Sequence, residues 1–272
     1  MKGIIVSATS DIATEMCIRW KKRGWNLCGT YFSQGENYKL LNESGVPLVH
    51  CDISLPKSID HAANVLREKM KDWDFLLFAT GSLAPVGSFE KVDIDLWISS
   101  IQLNFLNQLR LLHRLLPSRN PEAAEKSVLF FAGGGTNNAV SFYSAYTLSK
   151  IGLIKACELL NFEISDVKFV IIGPGWLKTK IHQATLDAGE ELAGNNFAKT
   201  KEKLNSNNCV STAKVIESFE WVLSQPKKIV GGRNFSTAFD KWGTEELATL
   251  LLQDENMYKL RRYKNDILVG SL

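Results

Sequence analysis

Two side chains near the middle of the chain have the types and spacing for proton transfer: Tyr146 and Lys150, in YSAYTLSKIGLIKACELL. In a helix, an i, i+4 pair shares one face. A free phenol titrates near ~10, which makes it a poor acid or base at neutral pH. A lysine cation beside it favours the phenolate and draws its pKa toward the working range. The same ammonium can hold the hydroxyls of a ribose. Tyr and Lys at this spacing also arise by chance, so the pair takes its meaning from what surrounds it. A second segment, SATSDIA at Ser7–Ala13, joins an apolar run to a helical pattern. A helix N-terminus there would offer unpaired N–H groups to an anion such as pyrophosphate, although an ordinary capped turn explains the same residues. A third, Gly133–Gly135 in FFAGGGTNN, lets backbone approach a ligand closely or simply makes a tight turn.

The elements that must position these groups follow from the apolar pattern. Short apolar runs predict strands at Gly3–Val6, Asn26–Phe32, Pro47–Cys51, Phe75–Ala79, Ser127–Ala132 and Val167–Ile172. Between them, helices are predicted at Asp11–Arg23, with Ser10 or Asp11 as cap and Gly24 as terminator, and at Tyr38–Asn42, Ser58–Met70, Leu96–Leu115 and Ser144–Phe162. Such alternation implies right-handed crossovers and an α/β fold, a Rossmann-type doubly wound parallel sheet in a single domain over 1–272. The stretch 179–208 is polar and mixed in charge, and reads as a flap over a site or as a solvated helical insertion. A helix at Val210–Leu223, a strand near Lys228–Val230 and helical pieces from Thr244 to about Arg262 complete the reading. Lys259, Arg261, Arg262 and Lys264 read as a solvated basic face.

Composition narrows the function classes. The chain has 272 residues, a formal net charge of +3, 45% hydrophobic and 22% charged residues. This suits one sizeable core and excludes long disorder. The balanced charge argues against nucleic acid as a partner. No apolar run reaches the roughly 18–20 residues of a membrane span. Asp11 and Glu15 interrupt the N-terminus where a signal peptide would still be apolar, so a mature, cytoplasmic chain is expected. Cys17, Cys28, Cys51, Cys157 and Cys209 are odd in number and far apart, and read as free thiols. His50, His61, His113 and His182 are equally scattered, so no metal site is expected.

Together these landmarks resemble the short-chain dehydrogenase/reductases over nearly the whole chain. SATSDIA resembles that family's first turn. Asp52 in CDIS falls where the family has an Asp near the adenine, with Ile53 beside it. FATG at Phe78–Gly81 stands at the family's N-N-A-G, so Ala79, Thr80 and Gly81 fall at the cofactor. Asn104 in IQLNFLNQL matches the Asn of the long fourth helix. Tyr146 and Lys150 match the catalytic pair, and PGWLKT at Pro174–Thr179 matches the P-G-x-x-x-T turn on the nicotinamide side. The resemblance implies hydride transfer between a nicotinamide cofactor and a carbonyl or secondary alcohol. Tyr146 would be the general acid or base. Lys150 would lower its pKa and bind the ribose, and Asn104 would hold a water of a proton relay. Thr9, Ser10 and Ile12 would contact the pyrophosphate, and Pro174, Gly175, Leu177 and Thr179 would line the nicotinamide side.

The departures are specific. Where the family has its catalytic Ser, thirteen positions before the Tyr, this chain has Gly133. A missing donor at the reacting oxygen can cost about 10²–10³ in rate. Thr136, or a backbone nest at Gly133–Gly135, would supply the hydrogen bond; a polar group of the substrate is a third source. The remaining reading is a catalytically impaired cofactor-binding or regulatory protein. Ser7, Asp11 and Ala13 replace the three glycines of the first turn, with Asp11 expected to turn back as a helix cap. After the second strand there is no acid to select the ribose 2′-OH of NAD. Tyr31 and Ser33 could reach a 2′-phosphate, which tilts the expectation toward NADP over NAD.

The substrate is expected between the flap and the C-terminal segment, near Gly133, Asn138, Tyr143, Trp176 and His182, with Phe239 and Trp242 opposite. Aromatic rings beside Asn and His suit sugar rings. GGGTN and FDKW also resemble family members of surface-polysaccharide and sugar biosynthesis. The leading expectation is therefore a sugar or nucleotide-sugar carbonyl, with a 3-oxoacyl thioester or small ketone still open. The resemblance also implies a homodimer or homotetramer. Leu111, Leu112, Leu115, Ile151, Ile154 and Leu159 are apolar residues that suit either that contact or the core.

Overall fold

A computed structural model describes residues 1–206 and 208–263. Seven strands form one sheet: β1 (Lys2–Val6), β2 (Asn26–Tyr31), β3 (Leu48–His50), β4 (Phe75–Phe78), β5 (Lys126–Phe131), β6 (Val167–Gly173) and β7 (Asn234–Ser236). Their order is β3-β2-β1-β4-β5-β6-β7, with every pairing parallel. The inner strands are apolar on both faces because helices cover both. Ile4, Val6, Leu76, Phe78, Val128 and Phe130 point into one core, with α3 (Pro56–Lys69), α5 (Asn107–Leu115) and α6 (Ser144–Glu163). Ile5, Phe75, Leu77, Leu129 and Phe131 point into the other, with α1 (Asp11–Lys22), α9 (Thr212–Ser224) and α11 (Glu245–Gln253). This two-sided burial is what short unbroken apolar strands require.

Strand order reverses between β1 and β4, which opens a crevice at the carboxyl ends of the strands. Register sets what stands there. Val6 pairs with Phe78, Phe78 with Phe130, and Phe131 with Ile172. The turns beginning at Ser7, Ala79, Ala132 and Gly173 therefore emerge side by side.

Several elements differ from expectation. α2 (Glu36–Glu43) is longer than predicted. The helix predicted at Leu96–Leu115 runs from α4 (Ile94–Ile101) to α5 through a π-helical turn at Gln102–Leu106, where one extra residue per turn shifts the side chains. The stretch read as a flap or a helical insertion holds a helical pair, α7 (Gln183–Ala193) and α8 (Asn195–Asn205). The strand predicted near Lys228–Val230 is a helical turn, α10 (Lys227–Val230), started after Pro226; the strand follows it as β7. Of the helix predicted to about Arg262, the part beyond Gln253 is irregular. Arg261 in the basic cluster pairs with Glu158 at 2.8 Å, and Lys264 lies outside the described residues. Leu111, Leu112, Leu115 and Ile154 are core, while Leu159 is exposed. All five cysteines are free and four are buried. Burial pushes the thiols of Cys28 and Cys51 up to about 11.

Candidate active site

Tyr146 lies in the first turn of α6 and Lys150 one turn further on, at the crevice. Tyr146 is half-buried and Lys150 is 2% exposed. The Lys150 ammonium donates to the Thr80 carbonyl at 3.3 Å and lies 5.5 Å from the centroid of the Tyr146 ring. Burial pushes the Tyr146 phenol up to about 12 and the Lys150 ammonium down to about 8. In this structure burial favours the neutral form of both groups.

Gly133 has a packing reason. A Cβ there would stand 2.6 Å from Tyr146 Cε1, 2.9 Å from its Oη and 3.0 Å from Lys150 Cγ. The tyrosine ring occupies the space that a side chain at 133 would need. Gly133 and Gly134 line the cavity, whereas Thr136 and Asn138 do not. At Gly135 the chain turns with φ +96° and packs on Thr147, carrying the following residues off. Of the two sources within the protein, only the Gly133–Gly134 backbone lines the cavity.

The first turn is built from cross-links. Ser7 adopts φ +58°, the left-handed conformation for which a glycine is the usual choice. Its N–H donates to Thr30 Oγ1 at 2.8 Å, and its hydroxyl lies 2.7 Å from Thr80 Oγ1. Ser10 is the N-cap of α1 by position, but neither it nor Asp11 caps the helix with its side chain. Asp11 instead accepts the Lys180 N–H at 2.9 Å and the Asn37 amide at 3.3 Å, with the Lys180 ammonium at 3.9 Å. The carboxylate is a clasp between α1 and the root of the flap, not the expected cap.

Asn104 sits in the π-helical turn, 0% exposed. Its amide bonds the Ser82 backbone both ways at 2.9 Å, fixing the segment after β4. Its backbone carbonyl accepts the Gln108 side-chain amide at 2.6 Å. Gln108 also reaches the Thr80 carbonyl at 3.5 Å, so Lys150 and Gln108 share that oxygen. Gln108 Oε1 is buried without a protein partner. Sequence reading missed Gln108 because a glutamine four residues after an asparagine carries no motif.

A cavity of about 850 Å³ joins these parts. Its walls include Thr9, Ser10, Asp11, Ile12, Ala79, Thr80, Gly81, Pro174, Gly175, Leu177 and Thr179 from the expected cofactor set. Tyr143, Trp176 and His182 join them, with Phe239 exposed at the rim. Trp176 and His182 stack, centroids 4.1 Å apart, and the Tyr143 hydroxyl bonds Thr185 at 2.8 Å. Ser7, Tyr31, Ser33, Asp52 and Ile53 lie outside this cavity. Tyr31 is packed between Tyr38 and His50, and the Asp52 carboxylate accepts the Ser54 N–H at 2.9 Å in the turn before α3. Trp242 donates to the Thr237 carbonyl at 3.0 Å and packs on the core rather than the cavity. Among the described residues, no group of His, Cys, Asp and Glu could hold a metal ion, and no helix is long and apolar enough to cross a membrane.

The adh_short_C2 family model, described as enoyl-(acyl carrier protein) reductase, matches residues 6–237. The chain belongs to the short-chain dehydrogenase/reductase family. Solved structures of this type superpose on most of it. A short-chain dehydrogenase/reductase of Saccharomyces cerevisiae has a TM-score of 0.78 at 18% identity, covering 91% of this chain and 98% of its own. An actinorhodin polyketide ketoreductase variant with NADPH has 0.72 at 20% identity, covering 86% and 94%. Carveol dehydrogenase of Mycobacterium avium, in complex with NAD, has 0.71 at 13% identity, covering 86% and 95%. At such identities the likeness shows the fold alone. No curated protein matches the sequence. As a short-chain dehydrogenase/reductase, the chain departs from the family pattern at Gly133 and at Ser7 and Asp11 of the first turn.

Proposed function

We propose that the protein is an NAD(P)-dependent oxidoreductase that interconverts a carbonyl and a secondary alcohol, with Tyr146 as general acid or base. The observation that carries this reading is the Tyr146–Lys150 pair facing the same cavity as the N-terminus of α1. The residues present fit a dinucleotide. The first turn of α1 supplies N–H groups without intrahelical acceptors. The one carboxylate there, Asp11, is engaged by Lys180 and Asn37. Thr9 to Ile12 would hold the pyrophosphate, Lys150 the nicotinamide ribose, and Pro174, Gly175, Leu177 and Thr179 the nicotinamide side. Bound, the cofactor would supply or accept the hydride. The Tyr146 hydroxyl gives its proton to the carbonyl oxygen on reduction and takes it back on oxidation. A lysine titrating near 8 stays largely cationic at neutral pH and stabilises the phenolate as it forms. Tyr31 at the end of β2 and Ser33 just beyond it, with no acid among them, favour NADP over NAD.

The stacked Trp176–His182 pair and Tyr143 suit a sugar or nucleotide-sugar carbonyl. The exposed Leu106, Leu148, Leu159 and Phe162 offer an apolar surface for a homodimer or homotetramer. Titration with NADPH and NADH, followed by reduced-nicotinamide fluorescence, tests the reading. One cofactor binds in the micromolar range, and Tyr146→Phe keeps that binding while turnover falls by about 10²–10⁴. No binding of either cofactor at millimolar concentration overturns it. Gly133 favours a second reading, a cofactor-binding protein without turnover, which predicts binding but no effect of Tyr146→Phe.

A further inference from the structure

On the oxidoreductase reading above, we infer that the substrate carries an oxyanion, a carboxylate or a phosphate, which docks on Lys199 and Lys203 of α8. The chain as a whole is nearly balanced, with 32 Lys and Arg against 29 Asp and Glu. The cavity is not. Among the described residues, its charged lining consists of four lysines (Lys150, Lys180, Lys199 and Lys203) and one carboxylate, Asp11. Asp11 is already met by Lys180. Lys150 is tied to Thr80 beneath Tyr146. Among the described residues, Lys199 and Lys203 are left facing the cavity with no carboxylate but the already engaged Asp11 along it.

Lys199 and Lys203 are exposed, yet both line the cavity mouth. Asn196, Lys199, Thr200 and Lys203 follow i, i+3, i+4, i+7 spacing, so one stripe of the helix looks into the cavity. In a helix laid over a protein that stripe is ordinarily apolar; here each of its four residues is polar or cationic. The stripe is held in place by buried Thr200 and by the Asn196 amide, which donates to the Ser141 carbonyl at 2.9 Å. Lys203 lies 5.5 Å from the Trp176 ring, over the stacked Trp176–His182 pair. Burial, with help from Lys203, holds His182 below its ordinary value. Its Nε2 donates to the Leu177 carbonyl at 2.8 Å, because a carbonyl can only accept. The neutral ring then leaves Nδ1 as an acceptor for a hydroxyl. A hydroxylated carbonyl compound with an anionic end matches that set of groups.

The test uses matched commercial pairs, dihydroxyacetone phosphate against dihydroxyacetone and acetoacetate against its methyl ester, with NADPH-loaded enzyme. Loss of charge-assisted hydrogen bonds changes binding on the order of ten- to hundredfold. Wild type favours the charged member of one pair in kcat/KM by that factor. Lys199→Gln/Lys203→Gln loses the preference through KM, with NADPH binding and the neutral member unaffected. Preference for the phosphate or for the carboxylate identifies the source of the oxyanion. Where neither pair turns over, calorimetric titration of the loaded protein reads the same site. Binding of either anion that the double variant lacks supports the inference and places the failure in the catalytic reading. Equal handling of charged and neutral members, anion binding that survives the double variant, no anion binding, or an equal loss of NADPH binding overturns it.

Discussion

Restoring the family's hydroxyl at position 133 sets two arguments against each other. By motif alone, Gly133→Ser adds a donor at the reacting oxygen and should raise the rate by about 10²–10³. By packing, the new Cβ would stand 2.6 Å from Tyr146 Cε1 and 3.0 Å from Lys150 Cγ. Carbon atoms rest at about 3.5–4.0 Å, so the ring must withdraw by roughly 1 Å. Misplacement on that scale costs on the order of 10²-fold in rate. Forcing atoms into a filled site costs about 1–3 kcal/mol, or roughly 2–12 °C in Tm. Packing therefore predicts that Gly133→Ser lowers both Tm and kcat/KM. Gly133→Ala separates the causes, since it adds the Cβ without the hydroxyl and should behave alike. Thermal unfolding with NADPH-coupled turnover reads both. A Ser variant at least tenfold faster than wild type, with an unchanged Tm and a slower Ala variant, would refute the packing argument. It would show that Tyr146 moves aside at no cost.

Lys150→Met and Asp11→Ala probe the two sides of the cavity. Burial lowers the Lys150 pKa from 10.5 to about 8, which amounts to on the order of 3 kcal/mol against the charged folded state. That cost is fully present below pH 8. It fades as pH rises toward 10.5, because there the folded protein has released the proton and the unfolded chain still holds it. Urea unfolding should find the Met variant more stable than wild type at pH 7, with the gap closing between pH 8 and 10; a gap independent of pH removes Lys150 as its cause. Asp11→Ala leaves the Lys180 N–H without its acceptor, at a cost of about 1 kcal/mol. Hydrogen exchange at residues 180–182 should quicken while the core of α1 is unchanged, and equal protection in both proteins would show that Asp11 does not hold the flap.

What could be read from the sequence was whatever repeats. The strands β1, β2, β4, β5 and β6 are runs of apolar residues buried on both faces, and the helices between them carry periodic apolar stripes, so both kinds of element announce themselves. β7 does not. It has three residues, Asn234–Ser236, with one apolar side chain between two polar ones, and it owes its existence to pairing with Ile171–Gly173. The nearby Ile229 and Val230 drew the prediction instead, although Pro226 ahead of them starts a helical turn. Tyr146, Lys150 and the turns around the cavity were legible because an ordered set of short segments marks them. Lys199 and Lys203 were not, since a lysine on a polar helix looks the same whether it faces water or a cavity. Thr136 failed for a related reason. Three residues past Gly133 it is close in sequence, but the turn at Gly135 carries it outside the cavity wall.

The altered first turn shows how a motif can lose its glycines and keep its shape. A glycine at position 7 would reach φ +58° freely; Ser7 reaches it while tied to Thr30 on one side and Thr80 on the other. Those bonds offset strain of about 1–2 kcal/mol, the usual cost of the left-handed conformation for a residue with a Cβ. They also join the first turn directly to the segment after β4, where the Thr80 carbonyl receives Lys150. Asp11 extends the same pattern to the flap through Lys180. Ala13, fully buried, keeps α1 close to the sheet. Where glycines would leave the backbone loose until a ligand arrives, these side chains fix the turn, the lysine anchor and the flap root against one another beforehand. A site organised in this way gives up adaptability for order, and its ligand meets a cavity whose polar groups are already placed.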